Sequence, residues 1–394
     1  MNKYKFFFNS MLRNNQSGIS KNTLVFLCGA RDFHAMDWYR SALKCSRDIN
    51  IVIVTDLIEG EGYKRLIDNN DVVHRLLVLD RFLFTGQSRA GDIWRNIVKA
   101  ILFPFQVILL RRFAIRHKGA LYHAHTMYYL WLAWAAGVDY VGIPQGGDIL
   151  LKPWKSSIYR FLSSAALKAA KAISVDSTIM AENVYKISGV KAIIIQNGID
   201  INTITNSINT NNNIDCQRSN ITSFRGLTPL YNILNIIDAR NASSKYAAHP
   251  LTLIYPFYEL NYAINVRSSL LHSDRDIGRV DRSEIYSIFL STFLAISIPY
   301  SDSSPRSVYE AIFCGTAVAL AYHPFIDALP ECMKSRVIIV NLHDLSWFDD
   351  AVDAALRITK KPFSPSEEAL DLFDQERSFL KLLKLVPFKP IGTK

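Results

Sequence analysis

The chain has 394 residues, 49% of them hydrophobic and 20% charged, and a net charge of +10. This length exceeds what one hydrophobic core usually holds, so two domains are expected, and the composition excludes a disordered acidic chain and a disulfide scaffold. Cys28, Cys45, Cys216, Cys314 and Cys332 are scattered, odd in number and without CxxC spacing, which predicts reduced thiols in a cytoplasmic protein.

The opening MNKYKFFFNSMLRNN is basic but lacks the apolar region, about 7–15 residues long, of a secretory signal. TLVFLC (23–28) predicts the first strand. GARDFHAMDWYRSALK (29–44) follows it as loop and helix: Gly29 permits close backbone approach, and His34, Asp37, Trp38 and Arg40 are chemically capable types just beyond a strand. These are candidates for acceptor binding, although Trp38 and Tyr39 equally suit core or stacking positions. Further strands are predicted at 50–55 and 74–79.

Residues 94–119 contain Arg95, Lys99, Arg111, Arg112, Arg116 and Lys118 without one carboxylate. The apolar run is shorter than the roughly 20 residues that span a bilayer, and Pro104 interrupts it. A basic amphipathic helix lying on an anionic membrane fits, as does a core helix with a solvated basic face. Strands then follow at 120–125, 139–143, 172–176 and 192–196. INTITNSINTNNNID (201–215) is rich in Asn, Thr and Ser and reads as an exposed loop or linker. The domains predicted are 1–200, a linker at 201–220, 221–375, and a terminal helix and tail at 376–394.

In the second half, strands are predicted at 221–224, 251–255, 293–298, 316–321 and 336–340. Alternation of strands with helix-period segments marks parallel α/β sheets, in which ligands sit beyond the carboxyl ends of strands. SDSSPRSVYEAIFCG (301–315) is such a place: a turn after FLAISIPY, a helix from Arg306 to Phe313, Ser303 or Ser304 as its cap, Pro305 in its first turn and Gly315 after its end. The helix start suits a phosphate, Glu310 suits ribose hydroxyls and Asp302 suits sugar hydroxyls. Taken alone, the two acids equally fit a cap and a solvated helix position. No D-x-D placed after a strand and no HExxH is present, so a divalent metal is not required. EEALDLFDQERSFLKLLKLV (367–386) predicts a helix.

Asp302, seven residues, then Glu310-Ala311 and Gly315 resemble the donor motif of glycosyltransferase family four, retaining enzymes of GT-B fold, and the likeness extends over 278–320. That resemblance implies two Rossmann-like doubly wound domains facing a central cleft, with the last helix packing back across the junction. It implies a phosphate-binding Arg225 beside Gly226 in SFRGLTPLYN, and a crossover at Asn197, Gly198 and Asp200. His125 would lie near the donor phosphates or the reacting sugar, with Gln145, Gly146, Gly147 and Asp148 as the opposite lip. A lysine usual after the arginine is missing, Leu230 and Tyr231 standing there, and Gln145 replaces a histidine; one lost phosphate contact costs about 1.5–3 kcal/mol.

The activity implied is transfer of a sugar from a nucleoside diphosphate to an acceptor hydroxyl with retention, stabilised by Arg225 and the helix start rather than by a metal. The acceptor would be a saccharide or lipid-linked, in a bacterial surface polysaccharide, lipopolysaccharide or glycolipid. The protein would be cytoplasmic or peripheral on the inner face of the membrane. A nucleotide-sugar epimerase of the same fold and an inactive membrane-associated scaffold are the alternatives; nucleic acid is not an expected partner.

Overall fold

The computed structural model describes residues 22–29, 32–46, 49–56, 71–76, 89–211, 218–302, 304–344 and 346–385. The basic start of the chain, Cys216 and Ser303 lie outside the described residues, as do parts of the predicted segments 74–79, 201–220 and 376–394.

Among the described residues the first domain carries β1 (Thr23–Leu27), β2 (Asn50–Thr55), β3 (Val73–Arg75), β4 (Leu121–His125), β5 (Tyr140–Ile143), β6 (Ala172–Val175) and β7 (Ile193–Ile194), in the spatial order 3-2-1-4-5-6-7. All pair in parallel. The helices are α1 (Phe33–Cys45), α2 (Arg89–Arg116), α3 (Met127–Ala136), α4 (Gly146–Leu150), α5 (Lys152–Lys155), α6 (Ser157–Ala169) and α7 (Thr178–Ser188). Strand side chains alternate between two cores. Val25, Leu27, Val52 and Val54 pack with α2, α3, α6 and α7, whereas Leu24, Phe26, Ile51 and Ile53 pack with α1.

The second domain contains α8 (Ile201–Asn211), β8 (Asn220–Ser223), α9 (Ile233–Ala242), β9 (Leu251–Ile254), α10 (Leu260–Ser268), β10 (Arg275–Gly278), α11 (Arg282–Ser291), β11 (Thr292–Ser297), α12 (Arg306–Phe313), β12 (Ala317–Leu320), α13 (Glu331–Lys334), β13 (Val337–Ile339), α14 (Trp347–Ile358), α15 (Glu367–Phe373) and α16 (Gln375–Lys384). Its parallel sheet runs 10-9-8-11-12-13. In each sheet the chain winds outward, then returns beside its first strand, at β1/β4 and β8/β11. Such reversal points open a crevice beyond the strand ends, and both crevices face the junction between domains.

Four expectations are corrected. The Asn-rich stretch is helical over Ile201–Asn211 rather than loop or linker. Ile201, Ile204 and Ile208 form a stripe that packs on α11 and α12, Asp200 accepts from Thr203 N at 3.1 Å, and Ser207 and Thr210 bond carbonyls four residues back. The strand β10 was not predicted, because RDIG is short, polar and half exposed. Two helices, not one, occupy the region of 367–386: Asp374 breaks them, its carboxylate accepting from Glu376 N (2.7 Å) and Arg377 N (2.9 Å) at the start of α16. Finally, among the described residues no serine caps α12. Its cap position is Pro305, and Ser304 Oγ instead donates to Gln196 Oε1 at 2.8 Å.

α16 does pack back on the first domain, with Phe379 and Leu382 in the core beside α1. At this crossing Ile199 N–H donates to Phe373 O at 2.7 Å and Gln375 N–H to Ile199 O at 3.1 Å. Gly198 makes the approach possible: its φ is +67°, and a Cβ there would stand 2.5 Å from Gln375 Cα.

Candidate functional site

A cleft of about 2250 Å³ lies between the domains. Asp32 fixes its first wall by capping α1, accepting from His34 N at 3.1 Å and Ala35 N at 3.3 Å. His34, Asp37 and Trp38, at i, i+3 and i+4, then line the cleft together. Trp38 is buried against Phe379 at 6.2 Å between ring centroids, and its Nε1 donates to Asn197 Oδ1 at 2.9 Å. It holds the crossover as well as lining the cleft.

His125 ends β4 and also lines the cleft. Its ring stacks on Phe26 at 5.7 Å, and Nε2 has no partner among the described residues. Burial, then the neighbouring His123 and His34, push its pKa well below the ordinary histidine value, so the imidazole is neutral at pH 7. The next residue, Thr126, takes φ +66° and ψ 153°, a conformation that a β-branched residue rarely adopts. Strain is stored beside His125 in the turn into α3.

Gln145, Gly146, Gly147 and Asn197 line the cleft; Gly29, Arg40 and Asp148 do not. Gly29 is buried. Arg40 projects from another side of α1, where it pairs with Asp71 at 2.8 Å. Asp148 is tied into the domain by Met127 N (2.8 Å), Lys152 Nζ (2.8 Å) and Tyr159 Oη (3.2 Å).

The second wall is built from the ends of β8 and β11. Arg225 lies just beyond β8, donating to Asp302 Oδ2 at 2.6 Å and Ser307 Oγ at 3.2 Å, with its guanidinium 4.7 Å from the centre of the Tyr231 ring. Tyr231 thus forms an aromatic platform beneath the arginine. A Cβ at Gly226 would stand 2.5 Å from the ring of Phe257, an exposed side chain, so a larger residue there would have to push that ring aside. Pro305, Arg306 and Ser307 bring the uncapped start of α12 into the cleft, where its N–H groups and dipole favour an anion. Ser304 lines the cleft beside them.

Glu310 is buried on α12, yet it reaches the cleft lining. Its Oε1 accepts from Tyr286 Oη at 3.2 Å and lies 3.6 Å from Arg282 Nε and 3.5 Å from Arg306 Nε. Both arginines cross to Asp37 of the first domain, Arg282 through two bonds of 3.1 Å. Burial pushes the Asp37 carboxyl up, but the Arg306 and Arg282 charges outweigh it and hold the pKa at about 2. Neither arginine was singled out in the sequence; the only signal was Arg306 one helical turn before Glu310. Among the described residues no three His, Cys, Asp or Glu side chains gather as metal ligands do.

The wall thus offers cations and helix N–H groups for phosphates, a carboxylate for hydroxyls, and a neutral histidine opposite. No family model matches the chain, and no curated protein matches it significantly. Solved structures do resemble it. Anabaena Alr3699/HepE in complex with UDP superposes with a TM-score of 0.68 at 15% identity, over 92% of this chain and 98% of that one. Sucrose-phosphate synthase (tll1590) from Thermosynechococcus elongatus gives 0.66 at 14% identity, over 93% and 98%. UDP-GlcNAc 2-epimerase from Neisseria meningitidis bound to UDP-GlcNAc gives 0.55 at 11%, over 92% and 99%. At these identities the likeness establishes the fold: GT-B, with two parallel-sheet α/β domains.

Proposed function

We propose that the protein transfers a sugar from a uridine diphosphate sugar to an acceptor hydroxyl. The observation that carries this reading is the convergence of Arg225, the uncapped start of α12 and Glu310 on one wall of the interdomain cleft. Two of the neighbours named above were solved with UDP or a UDP-sugar, which favours uridine as the base. Arg225 and the N–H groups of α12 would meet the diphosphate and stabilise the charge that grows on it as the glycosidic bond breaks. Glu310 would accept from ribose hydroxyls once Arg282 and Arg306 shift from its Oε1. Asp302 and neutral His125 would face the sugar.

We assign retention of configuration to the reaction. No carboxylate is assigned as a covalent nucleophile, so the acceptor attacks from the side of the departing phosphate, which takes its proton. The acceptor is a saccharide or lipid-linked group of a surface polysaccharide or glycolipid, reached from the cytoplasmic face of the membrane. Neither Arg225 nor α12 needs a metal to supply positive charge at the phosphates.

Epimerisation of the same donor is the second reading, favoured by the Neisseria neighbour but with a lower structural likeness. Titration calorimetry of UDP, GDP and ADP against the wild-type protein and Glu310→Gln tests the donor site. UDP binding that the variant loses is the expected result, and no binding of any nucleotide overturns it. Incubation of UDP-sugars without acceptor separates the two reactions, because only an epimerase interconverts them.

A further inference from the structure

We infer that the outer face of the first domain, formed by α2 together with α5 and α6, seats on the surface of an anionic bilayer. The inward side of α2 is built into the domain through Val98, Gln106, Leu110 and Phe113. Its outward side presents Ile101 at 63%, Phe105 at 58% and Ile115 at 68% exposure, with Trp94, Ile97 and Ile108 also exposed. On α5 and α6 a second apolar set stands out, Trp154, Ile158 at 73% and Phe161 at 72%, preceded by Leu151. These two groups share one side of the sheet. α2, α3 and α6 pack on the same core, and Arg111 ties α2 to α3 by donating to Ala135 O at 2.7 Å.

Such an amount of exposed isoleucine, phenylalanine and tryptophan is unusual on a surface that meets only water. Charge identifies what covers it. No Asp or Glu occurs from Ile93 to Val138 or from Ile149 to Val175, while those stretches hold eleven lysines and arginines. Arg160 lies over the exposed Trp154 ring at 4.9 Å. Apolar side chains that enter the headgroup region, tryptophans at that level and basic residues for acidic lipids are the composition of an interfacial surface. A nucleic acid would use the cations but leave the isoleucines exposed.

Against the expectation drawn from its short apolar run, the helical segment Ile93–Arg116 is by length and composition long and apolar enough to cross a membrane. It lies on the surface instead, because polar groups fasten its inner side: Lys99 Nζ is 3.5 Å from Asp56, and Gln106 bonds Asp56 and Tyr128. The docking face also adjoins the cleft. Gly146 and Gly147 of its lip begin α4, which runs directly into Leu151 and α5. A seated molecule therefore holds that lip beside the lipid headgroups.

Flotation of the full chain with vesicles of phosphatidylcholine, with and without phosphatidylglycerol, tests this. Partition onto the phosphatidylglycerol vesicles is expected, weakened by high salt. The variant Trp154→Ser/Ile158→Ser/Phe161→Ser should partition at least about tenfold less, since three apolar groups lose their burial in lipid. Arg112→Ser/Arg116→Ser/Lys155→Ser should lose the preference for phosphatidylglycerol. All these positions are exposed and lie away from the cleft lining, so circular dichroism and nucleotide binding should match the wild type. No partition onto any vesicle, or equal partition of the wild type and both variants, overturns the proposal whatever the nucleotide result; capture of an acidic protein without vesicle binding does the same.

Discussion

Asp37 on α1 accepts two hydrogen bonds of 3.1 Å from Arg282 on α11, so a carboxylate of the first domain is gripped by a guanidinium of the second. Arg306 joins the same carboxylate. The cleft is therefore spanned by its own charges, and a diphosphate entering it competes with Asp37 for those arginines.

The substitution Asp37→Asn tests this clamp. At neutral pH it should lower stability by about 2 kcal/mol, the size implied by a carboxyl held at about 2 rather than 3.8. Because the folded pKa is depressed, this contribution is complete above pH 3.8 and disappears as pH falls toward 2. Urea unfolding of both proteins should show a constant difference at pH 5–8 that closes in acid. UDP affinity should rise in the variant, since two cations lose their internal partner; a fall in affinity would place Asp37 among the ligands of the nucleotide.

Arg225 and Tyr231 test the phosphate contacts. Arg225→Ala should weaken UDP binding by about 1.5–3 kcal/mol, a charged hydrogen bond, while leaving UMP less affected. It should also cost about 1–3 kcal/mol of stability, because the mostly buried Asp302 carboxylate loses that guanidinium. Tyr231→Lys should tighten UDP more than UMP. Equal losses for the two nucleotides in Arg225→Ala would move the arginine away from the outer phosphate.

Gly198→Ala probes the crossing of the two domain connections. The added methyl meets the Gln375 backbone at 2.5 Å, at a φ of +67°. Neither neighbour is a flexible side-chain end, so a destabilisation of about 2–4 kcal/mol is expected in chemical denaturation. A loss under 0.5 kcal/mol, on the scale of ordinary surface changes, would mean that the crossing yields easily.

His123 predicts an acid weakness. Both ring nitrogens lack partners among the described residues, and burial pushes its pKa down to about 3. Its folded pKa lies below the unfolded one, so stability is full above pH 6.5 and falls as the pH drops from there toward 3. His123→Leu should match the wild type or exceed it at pH 8, and exceed it by about 2 kcal/mol more at pH 5. Parallel pH profiles of the thermal midpoint would show that the ring is hydrated or bonded in solution.

Where sequence reading succeeded, the signal was local. Runs such as TLVFLC and FLAISI carry the burial of central parallel strands in their own composition, and the helix Arg306–Phe313 was bounded by Pro305 and Gly315. Where it failed, the deciding contact was distant. Ile201, Ile204 and Ile208 are too few to outvote the asparagines until α11 and α12 cover them, and RDIG becomes a strand only because β9 pairs with it.

By itself the sequence determined two α/β domains, the helix that carries Glu310 and the placing of Arg225 and His125 at strand ends, because hydrophobic period and turn chemistry act over a few residues. Only the tertiary structure decided that Arg282 and Arg306 close on Asp37, 245 and 269 residues away, and that α5–α6 extends the apolar basic face of α2. Pairing of charges and exposure of a surface depend on which elements meet, and no local pattern in the chain encodes that meeting.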